Sequence, residues 1–278
     1  MEQERGTIRS SMNPDSNSSD EVWVESNGET ISALIDHPKA GSGPGILIFP
    51  TLGATKEEMF FLSDFFVKAG FVTLRIDLLG SGQSSGVLTL DAEKFFKAVI
   101  SDFLERREVS FSKIIAIGIS FGAYWMIRTM AIDHRIAGGI GISIPVFHQD
   151  QWDSLEEGDW LRFQRCFYQS TAEATRSIVT KMTLYGVIDQ VHSPLLAFHG
   201  GKDTMNHPES SEILQKHARG PLTLEVFPEE KHGCLGKIRK EILPKVVEWS
   251  REIIATFEDH GMENRRQEHP PHAPGSCR

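Results

Sequence analysis

The period of the apolar positions changes several times along this chain, and the changes come in a regular order. Residues 22–24 and 30–35 alternate apolar and polar positions around Asn27-Gly28, which predicts an opening antiparallel pair. Residues 45–49 (GILIF) are apolar without alternation, as a strand covered on both faces should be. Residues 72–76, 113–119 (KIIAIGI), 136–144, 195–198 and 222–227 read as further strands. Helical spacing falls between them. One helix is expected through Phe60, Phe61, Phe65 and Phe66, opened by Thr55 and Glu58 as a capping box. Another carries Phe95, Phe96, Val99, Ile100, Phe103 and Leu104, and others cover 123–130 and about 208–217. A last helix starts at Pro244 and buries Val246, Val247, Ile253, Ile254 and Phe257. This order predicts an α/β fold: a mainly parallel, roughly eight-stranded sheet with helices on both faces.

Residues 145–191 break the rhythm. They hold Trp152, Trp160, Phe163, Phe167 and Tyr168 on a mainly helical background, inserted between two strands of one sheet. That placement predicts a helical lid, with residues 21–144 and 192–258 forming the core. Residues 1–20 and 259–278 are polar, with little to bury, and are expected to be disordered tails.

Composition narrows the class. A net charge of −9 and the absence of clustered Lys and Arg argue against nucleic acid. No apolar run approaches the ~18 residues of a membrane span, and the N-terminus lacks the apolar stretch of a signal peptide. Cys166, Cys234 and Cys277 are odd in number and show no CxxC or metal spacing, so neither a disulfide framework nor a metal is expected. The cytoplasm is the expected location, and no cofactor is implied.

Gly118-Ile119-Ser120-Phe121-Gly122 fits the G-x-S-x-G nucleophile elbow. A serine in a tight strand-to-helix turn needs small residues two before and two after it. The flanking KIIAIGI and AYWMIRTMA supply the strand and the helix. A serine hydroxyl also needs a base, and the order in such folds is Ser, then acid, then His. Asp203 follows the strand at 195–198, and His232 follows the strand at 222–227, so both reach the rim above Ser120. His232 is then the base, and Asp203 holds its tautomer. The backbone N–H groups of Phe121 and Leu52 are the expected oxyanion donors, with Thr51 next in line.

The rivals are weaker. Asp189 reads as a loop-fixing cap, His199 as a structural residue at a strand end, and Cys234 as packing. His207 and His217 read as solvated, His260, His269 and His272 belong to the tail, and His37, His134, His148 and His192 show no metal spacing. The loop DLLGSGQS (77–84) reads as turn chemistry.

With these motifs in place, residues 21–258 resemble the α/β-hydrolase superfamily, carried by GISFG, DLLGSGQS, HGGKD and KHG in family order. The loop PTLGATKEE (50–58) and the spacing Ser120–Asp203–His232 look most like the branch containing dihydroxypseudooxynicotine hydrolase, a carbon–carbon bond hydrolase, with esterases and the fermentation–respiration-switch group nearby. Two features depart from the pattern. Pro50-Thr51 stands where the family has His-Gly, and the ~20 residues before the first strand are not expected to match the branch's helical N-terminal domain. The branch also uses a lid acid; this lid offers Asp150, Asp153, Glu156, Glu157 and Asp159, none matched to that role.

The resulting expectation is a serine hydrolase acting through an acyl-enzyme on an ester, thioester or activated carbon–carbon bond. Its small-molecule substrate has an apolar or aromatic acyl part and contacts at least two of the five lid aromatics. Acyl transfer or cyclisation is the alternative within enzymes, and a ligand-binding receptor on the same scaffold the alternative outside them. A homodimer stays open.

Overall fold

The computed structural model describes residues 19–146, 152 and 155–268. Eight strands form one sheet: β1 (Ser19–Ser26), β2 (Glu29–Asp36), β3 (Gly43–Phe49), β4 (Val72–Ile76), β5 (Val109–Ile119), β6 (Ile136–Ile142), β7 (Leu195–Gly200) and β8 (Leu222–Phe227). Their spatial order is β1-β2-β4-β3-β5-β6-β7-β8. β2 pairs antiparallel with β1 and β4, and all other neighbours run parallel. The chain leaves β3 toward β4 on one side and returns to β5 on the other. That reversal opens a crevice beyond the carboxyl ends of β3 and β5, where ligands bind in such sheets.

The helices are α1 (Phe60–Lys68), α2 (Glu93–Glu105), α3 (Phe121–Ile132), α4 (Glu157–Cys166), α5 (Ala172–Val179), α6 (Glu209–His217) and α7 (Leu243–Glu268). Central strands feed both faces of the sheet, which explains their unbroken apolar runs. Leu47 and Phe49 of β3 pack with Phe96, Phe103 and Trp125 on the α2/α3 face. Ile46 and Ile48 pack with Leu62, Phe66, Val246 and Ile254 on the α1/α7 face. Each fully buried phenylalanine, such as Phe66 or Phe96, contributes about 2 kcal/mol by leaving water.

Three boundaries differ from the sequence reading. β6 stops at Ile142, because Ser143 takes a positive φ of 51° and turns the chain out of the sheet. The Glu58 carboxylate does accept the Thr55 N–H at 2.9 Å, but residues 56–59 form turns and α1 begins at Phe60 with no side-chain cap. Burial of the Lys56 side chain holds those turns in place. α7 runs to Glu268, beyond the expected boundary at 258, since residues 262–268 favour helix and Pro270 follows them.

Candidate active site

β5 ends at Ile119 and α3 begins at Phe121, so Ser120 alone makes the turn, with φ 53° and ψ −120°. A non-glycine residue there carries strain of about 1–3 kcal/mol, held by its surroundings. The Ser120 N–H donates to the Ile142 carbonyl at 2.8 Å, and its carbonyl accepts the Tyr124 N–H at 3.1 Å. The flanking glycines are required sterically. A Cβ on Gly118 would lie 2.4 Å from the Gly122 carbonyl carbon, and one on Gly122 would lie 2.4 Å from the Phe49 carbonyl oxygen. The turn thus packs directly against the end of β3.

Asp203 lies in the turn after β7. Its Oδ1 accepts the N–H groups of Met205 at 3.0 Å and Asn206 at 2.9 Å, which fixes the carboxylate. His232 opens a 3₁₀ turn (His232–Cys234) after β8, and its Nδ1 lies 3.1 Å and 3.0 Å from the two Asp203 oxygens. Burial alone would raise the Asp203 pKa, but the His232 bond and charge, with help from the Asn206 N–H and Ser143 hydroxyl, hold it below the ordinary carboxylate value. Asp203 therefore keeps its charge beside the imidazole.

Ser143 is a contributor the sequence reading missed. Its hydroxyl accepts the Gly233 N–H at 2.9 Å and bonds Asp203, while its carbonyl accepts from Asn206 Nδ2 at 2.6 Å. One residue at the end of β6 thereby ties the loops of Asp203 and His232 together. Only its left-handed backbone allows this, and no local pattern announces it.

A cavity of about 370 Å³ brings Ser120 and His232 together with Thr51, Leu52, Gly53, Ala54, Phe121 and Asn206. Ser120 is 8% exposed, and its hydroxyl has no hydrogen-bond partner among the described residues. In sites without substrate such contacts are commonly long and tighten on binding. The Leu52 and Phe121 amides likewise have no acceptor among the described residues.

The residues between β6 and β7 supply the opposite wall through Leu155, Asp159, Arg162 and Phe163. Of Trp152, Trp160, Phe163, Phe167 and Tyr168, Phe163 alone lines the cavity. It sits edge-on to Phe121 at 5.4 Å between ring centres and is backed by Trp152 at 5.7 Å and Trp160 at 6.4 Å. Phe167 is buried in the core, and Tyr168 is 79% exposed on a separate open groove beside Gly80 and Leu161. Asp159 and Arg162 pair at 2.7 Å across one turn of α4 at the cavity wall, and Glu58 faces the same space. Their i,i+3 spacing was legible, but not which face of α4 turns inward. Glu156 and Glu157 are exposed, while Asp150, Asp153, His148, His269, His272 and Cys277 lie outside the described residues.

The rival residues have other partners. His199 is fully buried, and its Nε2–H donates to the Asn206 carbonyl at 2.6 Å; burial lowers its pKa, so it stays neutral. Asp189 pairs with a half-buried His217 at 3.3 Å and with Arg219 at 3.4 Å, an ion-pair tie where the sequence suggested a cap. Burial pushes the Cys234 thiol up to about 12, which removes it as a nucleophile. Among the described residues, no three His, Cys, Asp or Glu side chains gather as a metal site. No helix there is long and apolar enough to cross a membrane.

The sequence profile of the prolyl oligopeptidase family matches residues 59–256, most of this chain and every strand from β4 to β8. The chain belongs to that family. Its fold is that of the α/β hydrolases. This prolyl oligopeptidase family member is 23% identical over 202 residues to 2,6-dihydropseudooxynicotine hydrolase of Paenarthrobacter nicotinovorans, covering 70% of the chain. It spans about half, 53%, of that relative's length. The crystal structure of the 2,6-dihydroxy-pseudo-oxynicotine hydrolase superposes with a TM-score of 0.76 at 21% identity, over 86% of this chain and 68% of that one. Est1E of Butyrivibrio proteoclasticus bound to ferulic acid superposes at 0.65 and 20% identity, over 84% of this chain and 98% of that one. These likenesses establish the shared fold.

Proposed function

We propose that this chain is a serine hydrolase whose nucleophile is Ser120, with His232 as base and Asp203 as the acid that orients it. One observation carries the reading. The strained Ser120 turn opens into the same cavity as His232, whose far nitrogen is held by an ionised Asp203. Ser120 Oγ attacks the substrate carbonyl carbon while His232 Nε2 takes the hydroxyl proton. The carbonyl π pair moves onto oxygen, and the Phe121 and Leu52 N–H groups receive that oxyanion. Collapse expels the leaving group, which takes the proton from His232. Water then repeats the sequence on the acyl-enzyme and releases the acid.

The apolar wall of Leu52, Phe121, Leu155, Phe163 and Met205 suits an aromatic or extended apolar acyl group of an ester, thioester or activated carbon–carbon bond. The relative named as a hydrolase of a pseudooxynicotine and the neighbour holding ferulic acid support that substrate class. Residues 145–191 act as the lid over a core of 21–144 and 192–258, and Phe163 is the lid aromatic that touches substrate. Phe163→Ala is expected to raise KM about tenfold for aromatic acyl esters, with little change for acetyl esters. Steady-state kinetics across an acyl series checks this.

A fluorophosphonate probe tests the whole reading. It is expected to phosphonylate one residue, Ser120, as located by peptide mass spectrometry. Labelling at any other residue, or none at all, rejects the assignment.

A further inference from the structure

The loop after β3 carries Leu52 and contributes Thr51, Leu52, Gly53, Ala54 and Glu58 to the cavity, yet Lys56 in its middle turns the other way. The Lys56 side chain is 1% exposed and that of Asp77 is fully buried. Lys56 Nζ donates to Asp77 Oδ2 at 2.8 Å and to Gln83 Oε1 at 2.6 Å. The backbone at the same position is gripped as well. Its N–H donates to Asp77 Oδ1 at 2.8 Å, and its carbonyl accepts from Arg75 Nη1 at 2.8 Å. Asp77 also accepts the Gln83 N–H at 2.9 Å, and Arg75 is clamped by Asp36 at 2.7 Å and 2.9 Å. Position 56 is thus fixed through its N–H, its carbonyl and its side chain onto the end of β4 and the loop after it, with Lys56 Nζ also 3.2 Å from the half-exposed Glu57 carboxylate.

The other backbone bonds of residues 51–58 are short-range turns, from Ala54 to Thr51, from Glu58 to Thr55 and from Phe60 to Glu57, with one tie to the lid, from Gly53 to the Cys166 thiol at the end of α4. On its outer side the loop meets the lid, where Arg162 methylenes lie over Gly53. A buried Lys–Asp pair adds little net stability over an apolar pair of the same size, because desolvation offsets its attraction. What it supplies is a fixed position. The elbow is already set by Gly118, Gly122 and the Ile142 carbonyl, so the other oxyanion donor is the one that needs an anchor.

We infer that Lys56 and Asp77 are a positioning pair that sets the Leu52 amide, and hence the oxyanion hole, from outside the cavity. This rests on the serine-hydrolase reading above and on Leu52 as the second donor. Neither side chain touches substrate. Their effect falls on the transition state, where charge reaches the carbonyl oxygen, and not on ground-state binding.

The test uses the full chain, an aryl ester and an aryl trifluoromethyl ketone. Ser120 Oγ adds to the ketone carbon, its proton passes to His232, and the resulting alkoxide occupies the oxyanion hole. Lys56→Met/Asp77→Leu removes both charges and so leaves neither uncompensated. It is expected to lower kcat about 10²-fold with KM within about threefold, and to weaken trifluoromethyl ketone inhibition by the same factor as kcat/KM. Arg128→Met breaks the half-buried Arg128–Glu93 pair behind α3 and serves as the control, with a lower Tm and unchanged kcat. Should the double variant fail to fold, Asp77→Asn keeps the shape of the site and is expected to lower kcat about tenfold with the same matched loss of inhibition. A folded variant with kcat and inhibition within threefold of the parent, or an equal kcat loss in Arg128→Met, overturns the inference. If the parent protein itself escapes fluorophosphonate labelling, the serine-hydrolase reading falls first and takes the anchor with it.

Discussion

Ser120→Ala is expected to lower kcat by about 10⁶ while the protein stays folded, because the proposed acyl-enzyme has no other oxygen to form on. The Ser120 hydroxyl has no hydrogen-bond partner among the described residues, so its removal leaves no buried group unpaired. The turn itself is held by backbone bonds and by the two glycines, none of which depends on the hydroxyl. Thermal unfolding should therefore shift by only a few degrees. Ser120→Gly is the informative companion. It relieves the positive φ of 53° and is expected to stabilise the fold by about 1 kcal/mol while being as inactive as the alanine variant. Higher stability with lost turnover would show that the fold carries strain at this residue for the sake of chemistry. Unfolding midpoints and single-turnover rates on the same preparations check both parts. Retention of more than about 1% of kcat in Ser120→Ala would reject the nucleophile.

Asp203→Asn is expected to cost about 10⁴ in kcat, since the amide cannot hold the imidazole in the tautomer that accepts a proton at Nε2. The same substitution changes the response to acid. Asp203 has its folded pKa held below the ordinary carboxylate value, so its contribution to stability is fully present above that value and is lost as pH falls through the folded pKa. The variant should show a flatter decline of Tm on the acid side than the parent protein. His232→Ala should match it in losing activity but leave a charged, buried Asp203 without its partner, and so be less stable at neutral pH. His199, at the end of β7 just before the Asp203 turn, provides the contrast. It is buried and neutral against the Asn206 carbonyl, so His199→Ala should lower Tm by several degrees and kcat by less than tenfold. If His199→Ala in a folded protein abolished turnover while His232→Ala did not, the base would be His199.

The succession of strands and helices, the tight turn at Ser120 and the loop positions of Asp203 and His232 were legible in the chain because each is a local pattern. A buried parallel strand is an unbroken apolar run, and Ser120 and Asp203 follow such runs in β5 and β7 by a few positions, while His232 follows the half-exposed β8. GISFG also states its own sterics, since only small residues fit where Gly118 and Gly122 approach each other and β3. Tertiary structure decided the rest. Trp152, Trp160, Phe163, Phe167 and Tyr168 look alike in sequence, yet only the packing of α4 on Phe121 turns Phe163 toward the cavity and leaves Tyr168 in solvent. Ser143 read as the interior of a strand until its positive φ placed its hydroxyl between Asp203 and Gly233. Thr55 and Glu58 read as a capping box and Asp77 as turn chemistry, while Lys56 carried no signal, because nothing local says that β4 ends beside the loop after β3. Such pairings depend on how the chain reverses between β3 and β5. That is a property of the whole sheet, and its energy lies in contacts between residues distant in sequence.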